Sequence, residues 1–343
     1  MPEGAGSNVG EEPQAGEGEH YAVSSLSWCG MTRYKIIVNP ISGRGSGERA
    51  VPEIEERLRD CGLDFDVART GKPWHAAELA QQAVVEGYDV VVAVGGDGTS
   101  NEVLNGLMLA KQADEARQVC MGIIGVGRGN DFAFGLGIPQ GVEAGCQVLG
   151  LDYRRTMDVG RAIGGLYPQG RYFGNGVGIG FDAVVGFEAL KMKWLSGFPS
   201  YIVATLKTVF LYFQAPLVRI EYDEQVLELP ALLVSIMNGR RMGGGFLMAP
   251  EGVPDDGQFD LCIARQVSRA RVFSLIPRFM AGTQGTQAEI TTARAKHVEI
   301  TALAGALPAH ADGETLCTEG QQLTLDLLPG QVEIISATAR EEA

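Results

Sequence analysis

The run Gly95-Gly96-Asp97-Gly98-Thr99 sets one carboxylate inside a glycine turn, and Ser100 and Asn101 follow directly. Val90–Val94 precedes it, and Val103, Leu104, Leu107 and Met108 recur after it at helical spacing. That order predicts a buried strand, a tight loop and a helix. Glycines let backbone N–H groups and a helix N-terminus meet an anion at a range that a Cβ would block. Asp97 cannot itself attract a phosphate; a carboxylate there makes sense if it holds Mg²⁺, directly or through water. The loop thus points to a nucleoside triphosphate with its metal. The plainer alternative is a structural glycine turn in a parallel sheet. The pattern is neither the Gly-Lys-Ser/Thr phosphate loop nor the GxGxxG dinucleotide fingerprint.

Four further clusters carry polar chemistry. Asn39-Pro40-Ile41-Ser42-Gly43 offers amides and a hydroxyl after the first expected strand, where open α/β sheets bind ligands. Thr70-Gly71-Lys72 offers a hydroxyl for a nucleotide and an ammonium for phosphate, whereas His75 reads as a helix-start residue. Gly127-Arg128-Gly129-Asn130-Asp131 is a second glycine loop, with polar groups suited to shaping it or organising metal-bound water. Asp312-Gly313-Glu314 places two carboxylates around a glycine. One can take the proton of an acceptor hydroxyl while the other orients it or tunes its pKa. An Asp-Gly hairpin turn is the plain alternative.

The elements that position these groups fall into two sets. Strands at Tyr34–Val38, Phe65–Ala68, Val90–Val94 and Met121–Gly125 alternate with helices at Glu48–Cys61, Ala76–Gly87 and from Val103 to Ala110. This predicts a parallel sheet with right-handed crossovers. After about residue 157 the segments become short, strand-like and glycine-punctuated, with a hairpin turn at Tyr222-Asp223-Glu224-Gln225 and last strands at Leu323–Leu327 and Val332–Ala337. Helices interrupt near Ala183–Leu195, Phe198–Phe213 and Val267–Met280.

Composition narrows the function classes. A net charge of −14 argues against a broad nucleic-acid surface and against global attraction to anionic membrane. Six cysteines, at 29, 61, 120, 146, 262 and 317, are too scattered for a zinc site or a disulfide scaffold and fit a reducing cytoplasm. Residues 1–30 hold five Glu and no Lys or Arg, which reads as a disordered acidic tail rather than a signal peptide. Met31, just before the first strand, is an alternative start. No stretch reaches the length of a spanning helix; Tyr201–Phe213 is short, contains Lys207, and reads as a packed helix or one with a membrane-touching face.

Together, NPxSG at 39–43, Thr70, GGDGTxNE at 95–102, the loop ending at Asp131, DDG at 255–257 and DGE at 312–314 resemble the bacterial diacylglycerol-kinase-type lipid kinases, within the wider group of sphingosine and ceramide kinases. The glycine loop itself is also similar to those of NAD kinases and phosphofructokinases. The resemblance runs from about Tyr34 to the C-terminus. It implies an NAD-kinase-like α/β N-terminal domain over 31–160, a β-sandwich second domain over 161–316, and C-terminal strands over 317–343 that return to the first. The active site then lies in the cleft between the domains.

The resemblance implies ATP and Mg²⁺ as cofactors. Nucleotide contacts fall on Asn39, Pro40, Ser42, Gly43, Thr70, Gly95, Gly96, Asp97, Gly98, Thr99, Ser100 and Asn101. Asp312 and Glu314 become the catalytic pair, with Asp312 taken as base and Glu314 supporting. A second-domain Mg²⁺ falls on Asp256 and the carbonyls of Val253 and Gln258, beside any metal at Asp97. Arg128 stands where that family has a nucleotide-contacting Thr, so the contact at this position is open. The implied reaction is γ-phosphate transfer to a lipid hydroxyl at a membrane surface, with diacylglycerol, giving phosphatidic acid, leading among acceptors. Alternatives are an NAD kinase or other soluble-alcohol kinase, and a non-catalytic nucleotide- or lipid-binding relative. The expected setting is cytoplasmic and peripheral to the membrane, with no nucleic-acid partner and a homodimer as the default assembly.

Overall fold

Residues 32–114, 118–192, 198–211 and 214–337 are described by the computed structural model; the acidic tail, Cys29 included, lies outside them. Strands β1 (Arg33–Val38), β2 (Asp64–Arg69), β3 (Val90–Gly95) and β4 (Cys120–Gly125) form a parallel sheet in the order β2-β1-β3-β4. β3 and β4 are buried at every position, as strands covered on both faces must be. Helices α1 (Ser42–Asp60), α2 (His75–Glu86), α3 (Asp97–Ala113), α4 (Asp131–Gly135) and α5 (Val142–Leu151) supply the cover. Alternation along the strands divides the core. Ile36, Val92 and Ile124 meet Ile54, Leu58 and Leu149 on one face. Ile37, Val91 and Ile123 meet Ala80, Leu104 and Leu107 on the other.

Two starts differ from the sequence reading. α3 begins at Asp97, inside the glycine loop, because Thr99, Ser100 and Asn101 are buried and form its first turns. The segment from Ser42 is broken by Gly43, Arg44 and Gly45 in left-handed conformation, so regular helix follows only after a looped turn. α5 is not evident in the sequence because Gly145 and Gly150 interrupt its apolar pattern.

The second half comprises β5 (Arg154–Gly164), β6 (Tyr167–Phe173), β7 (Gly176–Gly180), α6 (Phe181–Lys191), α7 (Phe198–Leu211), β8 (Leu217–Tyr222), β9 (Gln225–Met237), β10 (Phe259–Arg265), α8 (Arg269–Ala281), β11 (Ile290–Ala295), β12 (His297–Ala304), β13 (Leu307–Ala311), β14 (Glu314–Gly320) and β15 (Gln322–Ile335). Two largely antiparallel layers enclose Phe173, Val177, Ile220, Val234, Phe259, Ile300 and Leu325. β9 serves both layers: Gln225–Pro230 pair with β8, and Ala231–Met237 with β10. This is the β-sandwich expected from the resemblance. The hairpin at Tyr222–Gln225 is present, with Asp223 left-handed.

β15 is one strand rather than two. Pro329 and Gly330 shift its register between Leu328 and Val332 without ending it. It pairs with β12, with most of β5, and through Ile334 with Met121 of β4. Helix α7 buries Ala204, Thr205, Thr208 and Val209 and exposes Leu206, Lys207 and Phe210; Phe213 lies outside the described residues. No helix among the described residues is long and apolar enough to cross a membrane.

Candidate active site

The C-terminal ends of β1, β3 and β4 bring the three glycine loops side by side, since Val38 pairs with Val94 and Gly95 with Gly125. Asn39 fastens the first loop to the second: its N–H donates to the Val94 carbonyl at 2.9 Å and its Nδ2 to Thr99 Oγ1 at 3.1 Å. A Cβ on Gly127 would overlap the Gly96 backbone, so the second and third loops touch because position 127 is glycine. Ser42, Gly43, Gly96, Asp97, Gly98, Gly127 and Arg128 line one wall of a cleft of about 410 Å³. Asn175, Asp182, Tyr201, His310, Asp312 and Glu314 line the other.

Not every predicted nucleotide residue faces that cleft. Pro40, Gly95, Thr99 and Ser100 shape the loops from behind; Thr99 and Ser100 are buried, and Ser100 N–H donates into the first turn of α3. Thr70 stands half-buried at the end of β2, with its N–H on the Val38 carbonyl. Asn101 is fully buried. Its Nδ2 donates to Asp312 Oδ2 at 3.0 Å and its Oδ1 accepts from Arg171, so it ties the phosphate-loop helix to the acidic turn. Arg128 is exposed and lines the cleft.

The acidic pair divides sharply. Asp312 accepts four hydrogen bonds, from Asn175 and Gly176 N–H on Oδ1 and from Gly174 N–H and Asn101 Nδ2 on Oδ2. A carboxylate has about four acceptor sites, so Asp312 has none to spare for a substrate proton. Glu314 Oε1 reaches across to the phosphate loop, 3.1 Å from where a Cβ on Gly98 would sit. Burial raises the Glu314 carboxyl above its ordinary pKa, with Arg171 opposing and Glu102 and Asp312 adding.

Two more carboxylates complete the site. Asp97 Oδ1 accepts from Phe132 N–H at 2.9 Å. Burial first, then the neighbouring Asp131, pushes Asp97 up to about 7. Asp131 is also raised by burial, although Arg241 at 2.6 Å and the Gly244 N–H oppose this. Arg241, Asn175 and Asp182 do not stand out in the sequence. The signal available was Gly176-Val177-Gly178-Ile179-Gly180-Phe181-Asp182, a further strand whose small residues run into a helix.

The residues fit a triphosphate with its cation. The loops form a cradle that side chains would fill, and buried Asn130 Oδ1, next to Gly127, has no hydrogen-bond partner among the described residues. Asp97 and Asn130 are hard oxygen donors of the type Mg²⁺ takes. The turn at Val253, Asp256 and Gln258 fits a cation less well. Asp256 Oδ1 accepts from Gln258 N–H at 3.0 Å and Oδ2 pairs with Arg294, so a metal there competes with a guanidinium.

An apolar cavity adjoins the cleft. Phe181, Val185, Leu233, Phe246, Leu275 and Phe279 line it, and Asp182 belongs to both spaces.

Comparison with known proteins agrees with this geometry. Residues 33–162 match the model of the diacylglycerol kinase catalytic domain, and residues 175–336 that of the YegS C-terminal NAD kinase beta sandwich-like domain. A diacylglycerol kinase of Staphylococcus aureus (strain bovine RF122 / ET3-1) is 30% identical over 82% of this chain and 86% of its own length. One of Mycobacterium tuberculosis (strain ATCC 25618 / H37Rv) is 29% identical over 82% and 88%. A solved candidate diacylglycerol kinase from Bacillus anthracis str. Sterne superposes with a TM-score of 0.71 at 25% identity, covering 90% of this chain and 98% of that one. With the two family models together matching residues 33–162 and 175–336 and a 30% identical relative matched over 82% of this chain, it belongs to the diacylglycerol kinase family.

Proposed function

We propose that this chain is an ATP- and Mg²⁺-dependent lipid kinase that phosphorylates a lipid hydroxyl, with diacylglycerol as acceptor and phosphatidic acid as product. The observation that carries this reading is the meeting of two spaces at Asp182: a polar cleft between glycine loops and carboxylates, and an apolar cavity beside it. A soluble nucleotide acceptor gives no reason for the second. The relatives named diacylglycerol kinase support the same acceptor.

When bound, ATP–Mg²⁺ supplies the transferable phosphoryl group, and the cation spreads its charge. The N–H groups at the start of α3 and the backbone of Gly96, Gly98 and Gly127 would meet the phosphates, aided by the positive end of the helix. Asp97 and Asn130 would hold the cation. Glu314 takes the acceptor proton, because its carboxylate is free, raised and beside the phosphate loop. Asp312 holds the backbone of Gly174–Gly176 and so fixes the wall from which Glu314 works. This reverses the roles assigned from sequence, on the ground that Asp312 is saturated. The apolar part of the acceptor enters beside Phe246 and Leu275, with the protein at the cytoplasmic face of a membrane.

The test is incubation with ATP–Mg²⁺ and vesicles carrying diacylglycerol, followed by mass analysis of the organic phase. Phosphatidic acid formed in proportion to enzyme is expected. ATP consumption with NAD but not with lipid sinks the proposal.

A further inference from the structure

We infer that His310 is a positioning residue whose two ring nitrogens serve the two halves of the reaction separately. The inference rests on the lipid-kinase reading above. His310 lies on β13, two residues before Asp312, is 8% exposed and lines the cleft. Its Nδ1 accepts the Gly313 N–H at 3.3 Å. That leaves the ring proton on Nε2 in the neutral imidazole. Nε2 lies 3.3 Å from Asp182 Oδ2.

Each nitrogen meets something that needs holding. Asp312 and Gly313 both have positive φ, +47° and +85°, and this turn presents Glu314 to the phosphate loop. The Nδ1 bond braces that turn at its middle residue. Among the described residues Asp182, in the first turn of α6, alone lines both the polar cleft and the apolar cavity, and its buried Oδ2 has no well-aligned hydrogen-bond donor there. A lipid whose chains occupy the cavity must pass its head group by this oxygen, which can accept a hydroxyl of the acceptor. The Nε2 side of His310 stands 3.3 Å from that oxygen, a close polar contact that limits where it can move. Gly178, paired with His310 across the ladder, makes the arrangement possible: a Cβ there would overlap Asp182 Oδ2 and come within 2.7 Å of His310 Nε2.

Two substitutions separate the roles. His310→Asn keeps an acceptor near the Nδ1 position and loses Nε2. His310→Gln keeps a donor near the Nε2 position and loses Nδ1. Losing one hydrogen bond, or one close N–H contact to a carboxylate, changes a rate or binding constant by about fivefold to tenfold. His310→Asn is therefore expected to raise the acceptor KM by about fivefold with kcat within about twofold. His310→Gln is expected to lower kcat by about tenfold with the acceptor KM within about twofold. The KM for ATP stays put in both. Parallel changes of kcat and KM in both variants, or no change in either, overturn the inference, since a merely structural histidine gives the first and an idle one the second. ¹⁵N NMR of the wild-type imidazole, assigned by the signal lost in His310→Asn, reads the bonding without turnover. A neutral Nε2–H ring is expected, and an Nδ1–H ring overturns the inference. If wild-type protein phosphorylates no lipid, the lipid-kinase reading fails instead, and the NMR result decides the bonding of His310 by itself.

Discussion

Asp97, Asp131, Asp312 and Glu314 share one cleft but not one environment, and their differences carry the chemistry. Removing the proton acceptor should cost about a hundredfold or more in kcat. Glu314→Gln is expected to show that loss with an unchanged melting temperature, measured by lipid phosphorylation and thermal unfolding. Asp312→Asn should behave otherwise: its amide NH₂ would face donors already aimed at Asp312, leaving buried groups unsatisfied at about 1–3 kcal/mol. A lowered melting temperature for Asp312→Asn, absent in Glu314→Gln, supports the division; equal stability of the two would refute it. The raised carboxyls also fix a pH dependence. Asp97 titrates near 7 when folded against an ordinary value of 3.8, so it binds its proton more tightly in the native state. The stability this contributes is complete below 3.8 and is lost as pH rises through about 7. Metal-free, nucleotide-free protein in chelator should thus melt lower at pH 8 than at pH 5.5. Asp97→Asn should flatten that slope, and an unchanged slope contradicts the assignment. At this scale the sequence disclosed what is contiguous, such as Gly95–Asn101 and Asp312–Glu314. It hid Asp131–Arg241 and Asp182–His310, because those partners meet only through the fold.

The elements turn these residues into a site by bringing loop backbones closer than side chains permit. Gly127 and Gly96 touch through their main chains, because a Cβ on Gly127 would overlap Gly96. Gly127→Ala is therefore expected to leave a folded protein that binds ATP–Mg²⁺ at least about tenfold more weakly, since the cradle must open to admit the methyl group. Isothermal titration measures this, and unaltered affinity would mean the phosphates do not rest there. Strand and helix identities are legible where one face alternates or an apolar run is short, as in β1 through β4. The beginning of α3 is not, because Thr99 and Asn101 look like loop residues until Thr99 bonds Asn39 and Asn101 bonds Asp312. Pro230 marks where β9 passes from one layer to the other, a switch that only the pairing partners reveal. The turn at Asp256 keeps its expected place, but its bond to Arg294 is invisible in the sequence, because the two lie 38 positions apart.

Across the whole described molecule, β15 and β5 join the parallel sheet to the sandwich in one continuous ladder. Two halves tied in this way should unfold together. Ile334 is fully buried at the junction with Met121, and truncating it should cost about 2–4 kcal/mol. Ile334→Ala is expected to lower a single cooperative transition by calorimetry. Two separated transitions would show that the halves are independent. The two-part architecture is legible from the change of rhythm near residue 157. The stitching is not, because Pro329-Gly330 reads as a stop and acts as a register shift. The most direct measurement of the central claim is transfer of labelled γ-phosphate from ATP–Mg²⁺ into a total lipid extract, by wild type and Glu314→Gln side by side. The account predicts label in an organic-soluble product for wild type and at least about a hundredfold less for the variant. Label confined to the aqueous phase, or equal transfer by both proteins, would contradict it.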